Sequence, residues 1–254
     1  MNRRTSSALV KACLNGSRTR AEPQTVPMSP TELAVDARLA VGAGAAALHV
    51  HPRRENGAET LDPGACAAAT REIRAVCPGV PVGLSTGFWI EGDPARRLSC
   101  VAAWTVLPDF VSVNFSEPGT VELCKMLISR QIGVEAGVWT VADAEAFVAS
   151  GLSERCLRVL FEPREEKPEE ALATADAIAG VLDRHGIRLP RLLHGEGAAT
   201  WPVLDASLLR GYGIRIGFED TLHLPDGRLA QHNGELVATA VLRVRAHESK
   251  RGQA

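Results

Sequence analysis

Short apolar runs bounded by polar turns alternate with longer amphipathic stretches eight times along this chain, and that alternation constrains the fold more than any other feature. The runs at 8–14, 45–50, 80–84, 110–113, 131–134, 156–161, 191–193 and 214–217 read as strands. The stretches between them read as helices. Ser29-Pro30-Thr31-Glu32 opens the first of these, with Ser29 as N-cap, Pro30 in the first turn and Glu32 completing a capping box, and it runs to about Val41. Asp62-Pro63 and Asp93-Pro94 open the next two, and helices follow at 120–129, 140–149, 168–185, 200–209 and 233–246. Strand-then-helix units in series require a parallel sheet, and eight such units close a barrel. The length of 254 residues is near the roughly 250 typical of one such barrel. The expectation is therefore an α/β fold, a (β/α)8 TIM barrel, in a single domain over 1–254. An open doubly wound sheet would carry a Gly-rich phosphate turn after the first strand, and Asn15-Gly16-Ser17 is not one.

A barrel turns strand ends into evidence, because its chemistry sits at the C-terminal face of the strands. Those positions hold Asn15, His49, His51, Ser85, Thr86, Asn114, Glu135, Glu162, His194, Glu219 and Asp220, whereas the strand interiors are largely Ala, Val, Leu and Ile. Folding alone does not require so many ionisable groups at one end, so an active site is expected there. The formal net charge of −2 argues against a nucleic-acid binder. No apolar stretch is long enough to span a membrane, and the apolar run behind Met1-Asn2-Arg3-Arg4 stops at Lys11, too short for a secretory h-region. Six scattered cysteines with no CxxC pair fit buried free thiols in the cytoplasm better than a disulfide framework.

The rim carries a specific spacing. Side chains two apart on a strand share a face, so His49 and His51 project together, about 7 Å apart by strand rise. Paired imidazoles at a strand end suit one divalent metal, zinc above all. Strand eight neighbours strand one in a closed barrel, which makes Glu219 the best-placed third ligand, with His194 and Glu135 as rivals. Asp220 beside it reads as a ligand-orienting group, a general base, or an ordinary N-cap for the segment after it.

These residues resemble the β-keto acid cleavage enzymes, the family that includes 3-keto-5-aminohexanoate cleavage enzyme. The resemblance covers nearly the whole chain. It is carried by Lys11-Ala12-Cys13-Leu14-Asn15-Gly16, Val26-Pro27-Met28-Ser29-Pro30-Thr31-Glu32, His49-Val50-His51-Pro52-Arg53, Leu84-Ser85-Thr86-Gly87, Arg215-Ile216-Gly217-Phe218-Glu219-Asp220 and Asn233-Gly234-Glu235. It implies a zinc-dependent barrel catalysing a retro-Claisen-type exchange, in which a β-keto acid and acetyl-CoA give acetoacetyl-CoA and a shortened product. It also implies His49, His51 and Glu219 as metal ligands, Arg215 and Asp220 as the catalytic pair, Ser85 on the substrate carboxylate and Glu135 close to the site. Thr86, Asn114 and His194 join the substrate-binding candidates, and Arg53 or Arg18 would meet the substrate carboxylate or the CoA phosphates. Where some members of the family carry an acidic residue near the metal, this chain has Ser17-Arg18, which points to a different substrate tail. A zinc hydrolase working without CoA and a barrel with a non-catalytic metal site are the other readings. A homo-oligomer is expected, since barrels often pack helix faces together.

Overall fold

Eight parallel strands close on themselves in chain order, β1-β2-β3-β4-β5-β6-β7-β8, with β1 pairing β8 to seal the ring. The computed structural model describes residues 8–22 and 26–252, so Met1-Asn2-Arg3-Arg4 lies outside the described residues. The strands are β1 (Val10–Cys13), β2 (Ala47–Val50), β3 (Val82–Ser85), β4 (Phe110–Asn114), β5 (Gly133–Val138), β6 (Arg158–Phe161), β7 (Arg191–Leu193) and β8 (Gly213–Ile216). The helices are α1 (Pro30–Gly42), α2 (Pro63–Val76), α3 (Pro94–Ala102), α4 (Thr120–Ser129), α5 (Val141–Ala149), α6 (Pro168–Arg184), α7 (Thr200–Leu209) and α8 (Asn233–Arg251). The expected (β/α)8 architecture is the one observed.

Local chemistry starts the helices where the sequence placed them. The Ser29 hydroxyl accepts from the Glu32 amide, and the Glu32 carboxylate accepts from the Ser29 amide, so the capping box is complete. Asp62 accepts from Ala65 N and Asp93 from Arg96 N, each followed by proline at the first helical position. The outward strand side chains, among them Leu48, Val50, Leu84, Val111, Val134, Val159, Leu193 and Ile216, are buried beneath the helices. Each such burial contributes about 1.5–3 kcal/mol against the unfolded chain.

The inward positions follow the register. Cys13 is level with His49, His49 with Gly83, Ser112 with Glu135, Glu135 with Arg158, and Lys11 with Arg215. Several expected strand ends move by one or two residues, and two larger shifts follow. β5 begins at Gly133, because Gln131 adopts a left-handed conformation (φ 60°) that closes α4, and it continues to Val138. Glu135 therefore lies within the strand and not past its end. The last helix runs on to Arg251 rather than stopping at 246. Five of the six cysteines are buried and Cys100 is half-buried, and all are free thiols.

Candidate active site

His49 near the end of β2, His51 just beyond it and Glu219 in the turn after β8 meet at the mouth of the barrel. The two imidazole rings are 5.2 Å apart and nearly perpendicular. The Glu219 carboxylate lies between them, with Oε2 3.7 Å from His49 Nε2 and Oε1 3.5 Å from His51 Nε2. One donor atom from each of the three lies within 4.8 Å of the others. Two neighbours lock this arrangement. Asn15 donates to the His51 carbonyl and accepts from the His51 amide, both at 2.9 Å, pinning the chain beyond β2. Gly16, in a left-handed conformation (φ 52°), gives Glu219 room, since a Cβ there would overlap the Glu219 side chain.

Arg215, on β8, organises the carboxylates. Its Nη2 donates to Glu219 Oε1 and to Asp220 Oδ1, each at 2.7 Å, and its Nε adds a 3.0 Å bond to Asp220. Its Nη1 reaches Glu162 Oε2 at 3.3 Å. His194 stands between Glu162 and Asp220, with its two ring nitrogens 3.1 and 3.2 Å from them. Burial opposes ionisation of Glu219, but Arg215 and the two histidines outweigh it and hold the carboxyl well below the usual range. Asp220 is held down in the same way by Arg215 and His194 against burial. Asp220 caps no helix; it ends the turn 218–220, and Arg215 takes up both its oxygens.

The donor set fits a metal ion. Glu219 Oε2 is buried with no hydrogen-bond partner, as expected where a lone pair awaits a ligand. Burial pushes His49 down to about 3, so its imidazole is neutral and competent to ligate. Burial also opposes charge on His51, yet the Glu219 and Glu59 carboxylates lift it to about 9, and a cation entering the site would take the proton's place. Three carboxylates, Glu162, Glu219 and Asp220, share the one Arg215 guanidinium, an excess of negative charge that a divalent cation would offset.

A cavity of about 280 Å³ opens on this cluster. Ser85, Asn114, Arg18, His51, Arg215 and Glu219 line it, as do Ser112, Glu162, Trp89 and Trp139. Other expected residues are placed elsewhere. Asp220 and His194 stand behind Arg215. The Thr86 hydroxyl donates to the Ser112 carbonyl. The two Nη groups of Arg53 donate to the carbonyls of Gly16, Arg18 and Gly57 and tie loops together, while its Nε has no partner. Glu135 lies deeper, bonded to Lys11 at 2.6 Å and Arg158 at 2.5 Å in the barrel floor. Sequence reasoning missed Lys11, although a lysine inside an apolar strand is itself a signal of an internal partner. It also missed Glu59 and Trp89, which no motif marks.

Fold and site together define a TIM-barrel protein with a three-donor cluster for a metal at the catalytic face. The chain belongs to the β-keto acid cleavage enzyme family, whose model matches residues 7–250. It is 25% identical to the 3-keto-5-aminohexanoate cleavage enzyme of Fusobacterium nucleatum, over 92% of this chain and 89% of that one. It is 22% identical to the enzyme of the same name from Acetoanaerobium sticklandii, over 92% and 90%. Among solved structures, ObcA in a ternary complex with a C4-CoA adduct and oxalate superposes with a TM-score of 0.72 at 18% identity. That match covers 89% of this chain and 64% of ObcA, so this chain spans less than two thirds of ObcA's length. At this identity the likeness speaks to the fold.

Proposed function

We propose that the chain is a zinc-dependent β-keto acid cleavage enzyme that exchanges acyl groups between a β-keto acid and acetyl-CoA. The observation that carries this is the convergence of His49, His51 and Glu219 with Arg215 on one cavity, in a chain of this family. Two imidazoles and a carboxylate with room for further ligands are a recurrent catalytic zinc set. Zinc bound there would polarise the ketone of a β-keto acid as a Lewis acid. ObcA, the structural neighbour, has been solved with a C4-CoA adduct and with oxaloacetate, which supports substrates of this kind.

The chain's own residues supply the rest. Arg215 presents a guanidinium edge to the cavity and pairs with the substrate carboxylate, while Asp220 behind it keeps the fork in place. Ser85 and Asn114, on the far wall, offer a hydroxyl and an amide to the same anion. Glu162 Oε1 is buried without a partner and lies on the cavity wall, so it accepts the proton that leaves C2 of the substrate and later returns it. In the exchange C2 bonds to the acetyl carbon, the CoA thiolate leaves and adds to C3, and the C2–C3 bond breaks. A single such exchange leaves the four-carbon product as a free acid and the shortened acyl group on sulfur. Acetoacetyl-CoA with a free shortened acid differs only in which acyl group ends on CoA. Arg18, at the cavity edge, faces the anionic part of CoA or of the substrate tail.

The test is a panel of β-keto acids with acetyl-CoA and zinc-loaded protein, with every thioester read by mass spectrometry. A new acyl-CoA that depends on both substrates supports the reading. Acid release without CoA assigns the site to a hydrolase instead. Six free cysteines favour a reducing cytoplasm, and among the described residues no helix is long and apolar enough to cross a membrane. The exposed side chains Leu209 and Leu242, on α7 and α8, favour a homo-oligomer, which light scattering would size.

A further inference from the structure

The turn after β2 brings a carboxylate back onto a metal-ligand candidate. Arg54 N donates to the Ala58 carbonyl and Thr60 N to the Pro52 carbonyl, which folds Glu59 against the strand end. A bridge between Arg53 and Glu59 fixes the register. Glu59 Oε1 then lies 2.5 Å from His51 Nδ1. Its other oxygen, Oε2, accepts from the Trp89 indole at 3.0 Å, and the indole stacks over the His51 ring at 6.4 Å. Glu59 is largely buried, with a side-chain exposure of 11%.

We infer that Glu59 is a positioning residue for the metal centre: it accepts the Nδ1 proton of His51 and so fixes the ring with Nε2 turned towards Glu219 and the ion. The inference rests on the metal reading above. An imidazole has two nitrogens, and a hydrogen bond at one decides which of them can ligate. His51 Nε2 is the atom that faces Glu219, at 3.5 Å, and Nδ1 is the atom that Glu59 occupies. His49 has no such partner, since its Nδ1 is buried and unbonded, and packing alone holds its ring. The two histidines are therefore unequal. His51 is oriented by a carboxylate that Trp89 orients in turn, and a carboxylate at Nδ1 also makes the opposite nitrogen a stronger donor. Trp89 reaches the cavity wall, so the same residue that steadies Glu59 also bounds the substrate space.

The test is zinc affinity of the metal-free protein, measured by competition with a chromophoric chelator, for wild type, Glu59→Ala, Glu59→Gln and Trp89→Phe. Glu59→Ala is expected to weaken zinc binding by about 10–100-fold. Glu59→Gln keeps the shape and an acceptor oxygen but not the charge, and is expected to lose some affinity but less than about tenfold, whereas a mere space-filling role would leave this isostere at wild-type affinity. Trp89→Phe keeps the His51–Glu59 bond and is expected to stay within about threefold of wild type. In the zinc-loaded protein the His51 Nδ1 proton should give a downfield NMR resonance that is lost in Glu59→Ala. Zinc affinity unchanged in Glu59→Ala, with wild type binding one ion, overturns the inference alone. Equal losses of affinity and thermal stability in Glu59→Ala and Trp89→Phe also overturn it, by showing a loop staple. Wild type that takes up no zinc breaks the metal reading itself, and the inference with it.

Discussion

The buried charge cluster in the floor of the barrel and the one at its mouth are built on opposite plans. In the floor, Glu135 is gripped by Lys11 at 2.6 Å and Arg158 at 2.5 Å, and both cations lie over the Phe110 ring, at 5.9 and 5.1 Å. Both Glu135 oxygens are engaged, and the cluster lies outside the 280 Å³ cavity. At the mouth, Arg215 serves Glu162, Glu219 and Asp220 at once, and oxygens of Glu162 and Glu219 remain without partners. A buried group left unsatisfied costs about 1–3 kcal/mol, more if charged, so the mouth is under-satisfied and the floor is closed. A closed cluster holds a shape, while an open one awaits a ligand.

That contrast breaks or holds by measurement. The largest expected effect is at the mouth. Wild type purified without chelator should carry about one zinc per chain by elemental mass spectrometry. His49→Ala should lose it and drop kcat/KM by about 10⁴-fold, while remaining folded by circular dichroism. Retained zinc in that variant would dissolve the distinction. Glu135→Gln should do the reverse. It strands Lys11 and Arg158 in the interior, and denaturant titration should show a loss of about 3–5 kcal/mol with metal content intact.

The floor also predicts an acid response. Burial raises the Glu135 carboxyl, but Lys11 and Arg158 outweigh it and hold it down to about 2 against an ordinary 4.5. A value depressed by folding contributes stability that is full above the unfolded value and fades as pH falls through the folded one. Wild type should therefore lose up to about 3 kcal/mol on this account as pH falls from about 5 to about 2. Glu135→Gln should show a flatter slope in that window, and parallel slopes would sink the assignment. Asp220→Asn should lower kcat by about 10²-fold by loosening Arg215, with zinc still bound. The smallest effect belongs to Arg18→Ala, where KM for an anionic substrate should rise by about fivefold with kcat unchanged.

Much of this was legible in the chain. The alternation of short apolar runs with capped helices points to the barrel, because eight such units suffice to close a parallel sheet and the turn after β1 lacks the Gly-rich signature of an open one. His49 and His51 were legible from strand period, and Glu219 from the adjacency of strands that closure enforces. Glu135 shows the limit. The run 131–134 reads as the whole of β5, yet Gln131 turns left-handed and the strand continues through Ala136 and Val138, which drops Glu135 into the interior. Depth along a strand is set by where pairing begins, and periodicity does not reveal it. Arg53 shows another limit, since an arginine beside a site reads as an anion binder, and the sequence does not reveal that its Nη2 also donates to the carbonyls of Gly16 and Arg18. Glu59 was hidden for a third reason: a loop returns it to His51, and no pattern in the sequence predicts that return.

The three donors come from the second strand and from the turn after the last one, on either side of the seam where β1 meets β8. No partly synthesised or partly folded barrel can assemble them, because Glu219 is supplied only once the ring is nearly complete. Metal capture is then a late event that reports closure. An ion held there at about a thousand times its dissociation constant adds about 4 kcal/mol to the folded state. Such an ion would act as a clasp across the seam, slowing the opening of the ring where β1 meets β8.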